Sequence, residues 1–311
     1  MNMSSKKAKI IVILGTTASG KTTMGVKFAD EFNGEIVSAD SRQVYRGMDI
    51  GTGKDLEEYE FNGKKIPYHL IDVVDPNKKF SLADYQILAY KAIDDILERG
   101  KLPIIVGGSG LYIQSIVDGY QLSNSKPDKR LRAELEKKSA IELFEKLKKI
   151  NPGFANKLNN SDKNNKRRLI RYIEINSDRT KPDVFKNNFV SQKKYNFLLI
   201  GLTWPTEILY KRIHDRLIER LEKEDMISEV DHLHESGVSW KRLESFGLEY
   251  KFIAWYLQEK IDYETMVEKL FIAIRQFAKR QKSWFKRWEK QGAKIHWSKE
   301  LRGAKDMLKD F

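Results

Sequence analysis

The 311-residue chain contains no cysteine. Disulfides, cysteine-ligated zinc and a thiol nucleophile are therefore excluded, which fits a cytoplasmic protein. No apolar run reaches the ~20 residues that a membrane-spanning helix needs. Met1 to Lys9 is short and polar and lacks the apolar core of a signal peptide. The Asn-Lys-x-Asp motif that reads guanine in GTPases does not occur, nor do internal repeats. Acidic residues are the scarcer charge: 44 Asp and Glu stand against 57 Lys and Arg, giving a net charge of +13 and a pI near 9.5. That balance points to a polyanionic partner, nucleic acid before membrane, with a lysine-rich proteome as the bland alternative. Hydrophobic residues make up 41% and charged residues 32%, the composition of a soluble globular chain of one large or two modest domains.

Against these absences stands one motif. Gly15-Thr16-Thr17-Ala18-Ser19-Gly20-Lys21-Thr22 reads G-x-x-x-x-G-K-[ST], the phosphate-binding loop. The β-branched run Lys9 to Leu14 before it predicts a buried strand. Apolar Met24, Val26, Phe28, Ala29 and Phe32 after it predict a helix. Glycines let the backbone curl so that its N–H groups face an anion, and the helix N-terminus adds partial positive charge. Lys21 supplies a full charge and Thr22 offers a hydroxyl to Mg²⁺. Read alone, the loop suggests a nucleoside triphosphate such as ATP.

The first third alternates strands and helices. Strands are expected at Glu35–Asp40, Tyr68–Pro76 and Leu102–Gly107, the last running into Gly107-Gly108-Ser109-Gly110 and a helix. Ser81-x-x-Asp84 reads as a capped helix start, with the helix running to about Arg99. This order predicts an α/β fold, a P-loop NTPase-like parallel sheet flanked by helices. Ligands of such sheets bind beyond the carboxyl ends of the strands. Gly15–Thr22, Asp40–Tyr45, Asp72–Asp75 and Gly107–Gly110 should gather there.

From about Gln121 the chain turns polar, through Leu122 to Pro127, and then helical. Lys126 to Arg171 holds 15 Lys and Arg against 6 Asp and Glu. Residues 121–195 are therefore read as a basic helical insertion domain, between a catalytic core of 1–120 and 196–311. The sheet pattern returns once, at Asn196–Leu202, and the remainder is expected to be helical. In the last helix, Arg275 to Lys290 carries seven Lys and Arg and one Glu among Phe277, Trp284, Phe285 and Trp288. The charges suit phosphates. The aromatics suit either unpaired bases or, by their near-helical spacing, the core.

A phosphate loop beside a basic surface fits a small-molecule kinase, a nucleic-acid NTPase or regulatory GTPase, for which Ile71-Asp72 could imitate a Walker B acid, or a group transfer onto RNA. The residues after the second strand narrow this. Asp40-Ser41-Arg42-Gln43-Val44-Tyr45-Arg46-Gly47-Met48-Asp49-Ile50-Gly51-Thr52-Gly53-Lys54 closely resembles the tRNA dimethylallyltransferases. So do the loop Gly15–Thr22, His69-Leu70-Ile71-Asp72, Gly107–Tyr112, Arg212-Ile213-x-x-Arg216 and Ala278-Lys279-Arg280-Gln281-x-x-Trp284. The matches run in order through nearly the whole chain.

The resemblance implies transfer of a dimethylallyl group from dimethylallyl diphosphate to N6 of adenosine 37 in the anticodon loop of tRNA, by a monomer with Mg²⁺ at Thr22. The loop would then hold a diphosphate leaving group. Carried over by motif, Arg216 grips the diphosphate and Asp40 takes the N6 proton. A structural acid, or a magnesium ligand through water, is the alternative for Asp40. Ser109 stands where the family has Thr and keeps the hydroxyl near the target base. Asp40, Ser41, Arg42 and Gln43 match the segment that touches the target nucleotide. Arg132, the segment Arg167-Arg168-Leu169-Ile170-Arg171, and Arg280 match tRNA contacts. Departures are Thr16 for Pro, Tyr68 for His, Arg167 for Gln, and Gly247–Lys251, onto which no role is carried.

Overall fold

The computed structural model describes residues 7–122, 128–177 and 194–298. Residues 123–127 of the polar link after Gln121 lie outside these. The chain divides into two compact units: Met1–Asp118 with Lys193–Phe311, and Gly119–Gln192.

In chain order the first unit begins β1 (Lys9–Gly15), α1 (Lys21–Glu31), β2 (Gly34–Ser38), a small hairpin β3 (Glu60–Phe61) and β4 (Lys64–Lys65), β5 (Tyr68–His69), α2 (Leu82–Glu98), β6 (Leu102–Gly107) and α3 (Gly110–Val117). The second unit holds α4 (Lys129–Leu135), α5 (Ala140–Ile150), α6 (Pro152–Asn156), α7 (Asn160–Lys163) and α8 (Lys166–Ser177). The chain returns to the first unit with β7 (Asn196–Leu202), α9 (Thr206–Glu222), α10 (Met226–Glu235), α11 (Trp240–Phe246), α12 (Leu248–Leu257), α13 (Tyr263–Lys290) and β8 (Ile295–Ser298).

Six strands form one parallel sheet in the order β5-β2-β6-β1-β7-β8. The central strand β1 has Ile10 through Leu14 wholly buried, so its two faces look into two apolar layers. Burial on both faces is what a continuous β-branched run encodes, each such side chain contributing about 1.5–3 kcal/mol. One layer is closed by Met24, Val26 and Phe28 of α1. The other is closed by Tyr85 and Ile93 of α2, Ile113 of α3, and Phe285 and Trp288 of α13. Ser81 and Asp84 form the reciprocal cap that starts α2. A third apolar cluster joins α9 to α13 with Val44, Tyr45 and Met48.

Two expectations fail for physical reasons. The strand foreseen over Tyr68–Pro76 ends at His69, because Leu70 and Asp72 take left-handed backbone angles (φ 66° and 57°) that no strand accommodates. The sheet pattern returns twice after residue 121, not once: β8 pairs with β7 at the edge. With only four residues, two of them exposed, β8 has too little alternation to be read from sequence.

The second unit has its own small core of Leu135, Leu143, Leu147, Ala155, Leu169, Ile170 and Ile173. The Ser139 to Glu142 capping box starts α5, and Pro152 sits at the first turn of α6.

Candidate functional site

Strand register brings the motif loops to one edge. Leu14 pairs with Gly107, Ser38 with Val106 and Gly15 with Leu202. The loops that follow β1, β2 and β6 therefore leave the sheet at the same height. They are also bonded to one another: the Ser109 N–H donates to Ala39 O, and the Ser41 N–H donates to Ser109 Oγ at 3.1 Å. The Asp72–Asp75 stretch joins them through Asp72 N–H to Gln43 O and a bridge between Tyr45 and Val74.

The phosphate loop takes a left-handed turn at Ala18 and again at Gly20 (φ 56° and 86°). Gly20, the residue before α1, has no side chain to cap the helix, which leaves the first-turn N–H groups for an anion. Its carbonyls are taken by donors from several elements. Lys21 Nζ donates to Thr16 O at 2.6 Å, Arg212 Nε to Ala18 O at 2.7 Å, and Trp204 Nε1 to Ser19 O at 3.1 Å. Gln281 Oε1 accepts the Thr17 N–H at 2.8 Å, and Gln281 Nε2 donates to Gly108 O at 3.0 Å. One buried side chain of α13 thus ties the phosphate loop to the turn after β6. Arg212, Trp204 and this use of Gln281 were not foreseen, although Arg212 and Gln281 lie within the family-like motifs.

The Gly107–Gly110 run is a packing surface. A Cβ at Gly107 would fall 2.2 Å from Ala39 O, one at Gly108 2.4 Å from Gln281 Nε2, and one at Gly110 2.4 Å from the Trp284 ring. Backbone approach this close leaves room for hydrogen only. In α13, Phe285 and Trp288 are core residues while Phe277 and Trp284 are half-buried, which favours the packing reading for the aromatics. Arg280 is exposed on the same helix.

Burial and the neighbouring Arg216 push the Lys21 ammonium down to about 8, while Asp40, Asp55 and Glu58 pull the other way. Arg216 Nη2 lies 2.5 Å from Asp55 Oδ2, and Arg220 Nη2 2.6 Å from Asp55 Oδ1. Asp40 Oδ1 accepts the Arg42 N–H at 2.9 Å, and the residue is half-buried.

The segment after Asp40 is held from several sides. Glu229 accepts the N–H groups of Asp49, Ile50 and Gly51 at 2.8, 2.6 and 3.1 Å, and the Tyr250 hydroxyl at 2.7 Å. Arg42 pairs with Glu249 at 3.2 Å. These bonds give Glu249 and Tyr250, in the stretch without an assigned role, an anchoring part. Lys54, fully buried, donates to Tyr45 O, Asp49 and Asp72. Asp72 is thus, with Asp49, a counter-ion of Lys54, which gives the acid of Ile71-Asp72 a structural task.

Other placements correct the expected set of site residues. Gln43 is bonded within the segment, accepting from Ser38 Oγ and donating to Gly53 O at 2.8 Å each, which fixes its amide and leaves one N–H and one lone pair over. In the second unit, Leu169 and Ile170 are core residues whose side chains cannot reach a tRNA surface. Arg132 is bidentate to Glu174 at 2.6 and 2.8 Å, Arg168 pairs with Asp162 at 2.6 Å, and Arg171 approaches Glu174 at 3.5 Å. Arg167 is exposed and has no ion pair among the described residues. A cavity of about 240 Å³ is lined by Trp204, Phe285, Trp297 and Lys282; of the residues assigned a site role it touches Thr16 alone.

The IPP transferase family model matches residues 43–288. The chain belongs to the IPP transferase family. The phosphate loop precedes the matched region, but alignments with whole relatives span nearly the full chain. It is 48% identical to the tRNA dimethylallyltransferase 2 of Treponema denticola, over 94% of this chain and 96% of that one. It is 44% identical to the tRNA dimethylallyltransferase 1 of Syntrophus aciditrophicus, over 96% and 97%. Among solved structures it is similar to the full-length tRNA isopentenylpyrophosphate transferase of Bacillus halodurans, with TM-score 0.66, 37% identity and coverage of 94% and 90%. It is also similar to a eukaryotic dimethylallyltransferase acting on tRNA, with TM-score 0.75 and 30% identity over 89% of this chain and 69% of that one.

Proposed function

We propose that this IPP transferase family member transfers the dimethylallyl group of dimethylallyl diphosphate to N6 of adenosine 37 in the anticodon stem-loop of tRNA, releasing diphosphate. The observation that carries the reading is the convergence at one sheet edge of an anion loop, a carboxylate and cations. The Gly15–Thr22 loop, with Lys21 and Arg216, stands beside Asp40 and Ser109. An allylic C–O bond breaks readily once the departing diphosphate is neutralised. Lys21, Arg216 and the loop N–H groups act on that charge. The buried Ser19 hydroxyl, which has no hydrogen-bond partner among the described residues, is a further donor in the loop.

Asp40 accepts the N6 proton. A carboxylate suffices, because the amine becomes acidic only as the new C–N bond forms. Its bond to the Arg42 N–H fixes one oxygen and leaves the other for the amine. Ser109 Oγ holds Ser41 N–H and so orients the segment that meets the base. An anticodon loop presents its bases unpaired, so extruding one is inexpensive. The basic helix α8, on which Lys166, Arg167 and Arg168 are exposed, contacts tRNA phosphates and sets register, which phosphate contacts do without reading sequence.

Magnesium fits this donor set: no group of three His, Asp or Glu exists among the described residues to cage a metal, and Mg²⁺ binds through few protein oxygens plus phosphates and water. Thr22 would hold it, and when bound it adds neutralising charge to the leaving group. No described helix is long and apolar enough to cross a membrane. Together with the absence of cysteine this supports a cytoplasmic enzyme, and we take it to act as a monomer.

The test is incubation with unmodified tRNA, Mg²⁺ and labelled dimethylallyl diphosphate, followed by nuclease digestion. Label should appear on one adenosine of the anticodon loop. Transfer to free adenine nucleotides but not to tRNA would instead favour a nucleotide prenyltransferase, and phosphorylation of a small acceptor by ATP a kinase.

A further inference from the structure

We propose that Asp55 competes with the donor diphosphate for Arg216 and Arg220, and so holds the acceptor segment to the donor site until the donor takes the arginines. The inference rests on the donor reading given above.

Both carboxylate oxygens of Asp55 are engaged, Oδ2 by Arg216 and Oδ1 by Arg220. Arg220 is 7% exposed, and its Nε, without a hydrogen bond among the described residues, lies 3.8 Å from Glu224 Oε2. Lys21 is within electrostatic reach of Arg216 and Asp55. Among the described residues Asp55 is the carboxylate bonded to both arginines, while Glu224 lies 3.8 Å from Arg220 and Asp40 and Glu58 act on Lys21 at longer range. An arriving diphosphate would seek the same guanidinium N–H donors that Asp55 now occupies, because guanidinium pairs carboxylate and phosphate oxygens alike.

The backbone is forced into place around this contact. Gly53 and Asp55 both have left-handed angles (φ 65° and 46°), and for Asp55 that conformation is a strained one. A Cβ at Gly53 would lie 2.4 Å from Arg216 Nη2 and 2.6 Å from Arg220 Nη2. The turn therefore presses the end of the Asp40–Lys54 segment directly onto the two guanidiniums. The neighbouring Lys54 is clamped by Asp49 and Asp72. Whatever moves Asp55 acts on a segment anchored at its next residue.

A fixed structural bridge and a competitor give opposite results for one substitution. If Asp55 only positions the arginines, Asp55→Asn loosens them and diphosphate binds more weakly. If Asp55 competes, Asp55→Asn releases them and diphosphate binds more tightly. The experiment is calorimetric titration of inorganic diphosphate with Mg²⁺ into the wild-type protein and the Asp55→Asn, Asp55→Glu and Glu58→Gln variants. Glu58 is the control, a carboxylate of the same charge group held by Thr23 Oγ at 2.8 Å. The expected result is about tenfold tighter binding for Asp55→Asn, with Asp55→Glu and Glu58→Gln within about threefold of wild type. In steady-state assays KM for the donor should fall and KM for tRNA should rise. Should Asp55→Asn fail to fold by thermal melting, Asp55→Ser serves in its place. Unchanged or weaker diphosphate binding in the folded variant overturns the proposal. A wild-type protein that binds no diphosphate overturns the donor reading itself, which is a distinguishable failure.

Discussion

The phosphate loop and helix α8 are both basic, yet they handle charge in opposite ways. In the loop, the carbonyls of Thr16, Ala18 and Ser19 are taken by donors of the protein, while the uncapped N–H groups at the start of α1 face an anion. In the second unit, acids take up much of the charge: Arg132 and Arg171 share Glu174, and Arg168 pairs with Asp162. Spacing in a motif specifies where a charge stands, whereas a count of lysines and arginines does not specify which remain free.

The sharpest way to break this contrast is at the loop and its partner carboxylate. Asp40→Asn should lower the transfer rate by about 10²–10⁴-fold while tRNA binding in a filter assay stays unchanged. Full activity in that variant would remove Asp40 as the base. Lys21→Ala should cost about 10²–10³-fold in kcat, measured by label transfer at saturating tRNA.

Effects in α8 should be smaller and should follow pairing rather than sign. Charge reversal at Arg167, Arg168 and Arg171 together should weaken tRNA binding and lower the slope of log K against log salt by roughly one unit for each tRNA phosphate that is no longer neutralised. Asp162→Asn should do the reverse, freeing Arg168 and tightening binding by about twofold to fivefold, since an exposed pair is worth ~1 kcal/mol or less. If the first change leaves the salt slope as it was, the insertion is not the tRNA clamp.

The gentlest probe is pH. Burial and Arg216 hold the Lys21 ammonium down at about 8 from its ordinary 10.5. A bound diphosphate favours the charged form and so raises that value. Affinity should therefore be full below pH 8 and should decline as pH rises through 8. Calorimetry at pH 7 and pH 9 should show the loss, with proton uptake on binding at the higher pH.

Much of the sheet was legible because β1, β6 and β7 are continuous apolar runs and Ser81-x-x-Asp84 is a local cap. The site was legible where a motif is contiguous, as at Gly15–Thr22 and Asp40–Lys54. It was not legible where function rests on contacts between distant residues. Thr17 and Gln281 are 264 positions apart, and Arg216 and Asp55 161. Nothing local marks Gln43 as internally bonded or separates Arg168, paired with Asp162, from Arg167, which has no ion pair among the described residues. The burial of Leu169 and Ile170 follows from α8 packing on α5, and the periodicity of α8 carried that message beneath its charge.

The central claim is that the phosphate loop holds a leaving group rather than an energy source. It is tested most directly by measuring diphosphate release and adenosine modification in one reaction without any nucleoside triphosphate. The account predicts that the two appear in equal amounts and that adding ATP does not accelerate either. A requirement for ATP, or diphosphate release without modified adenosine when tRNA is present, would contradict it.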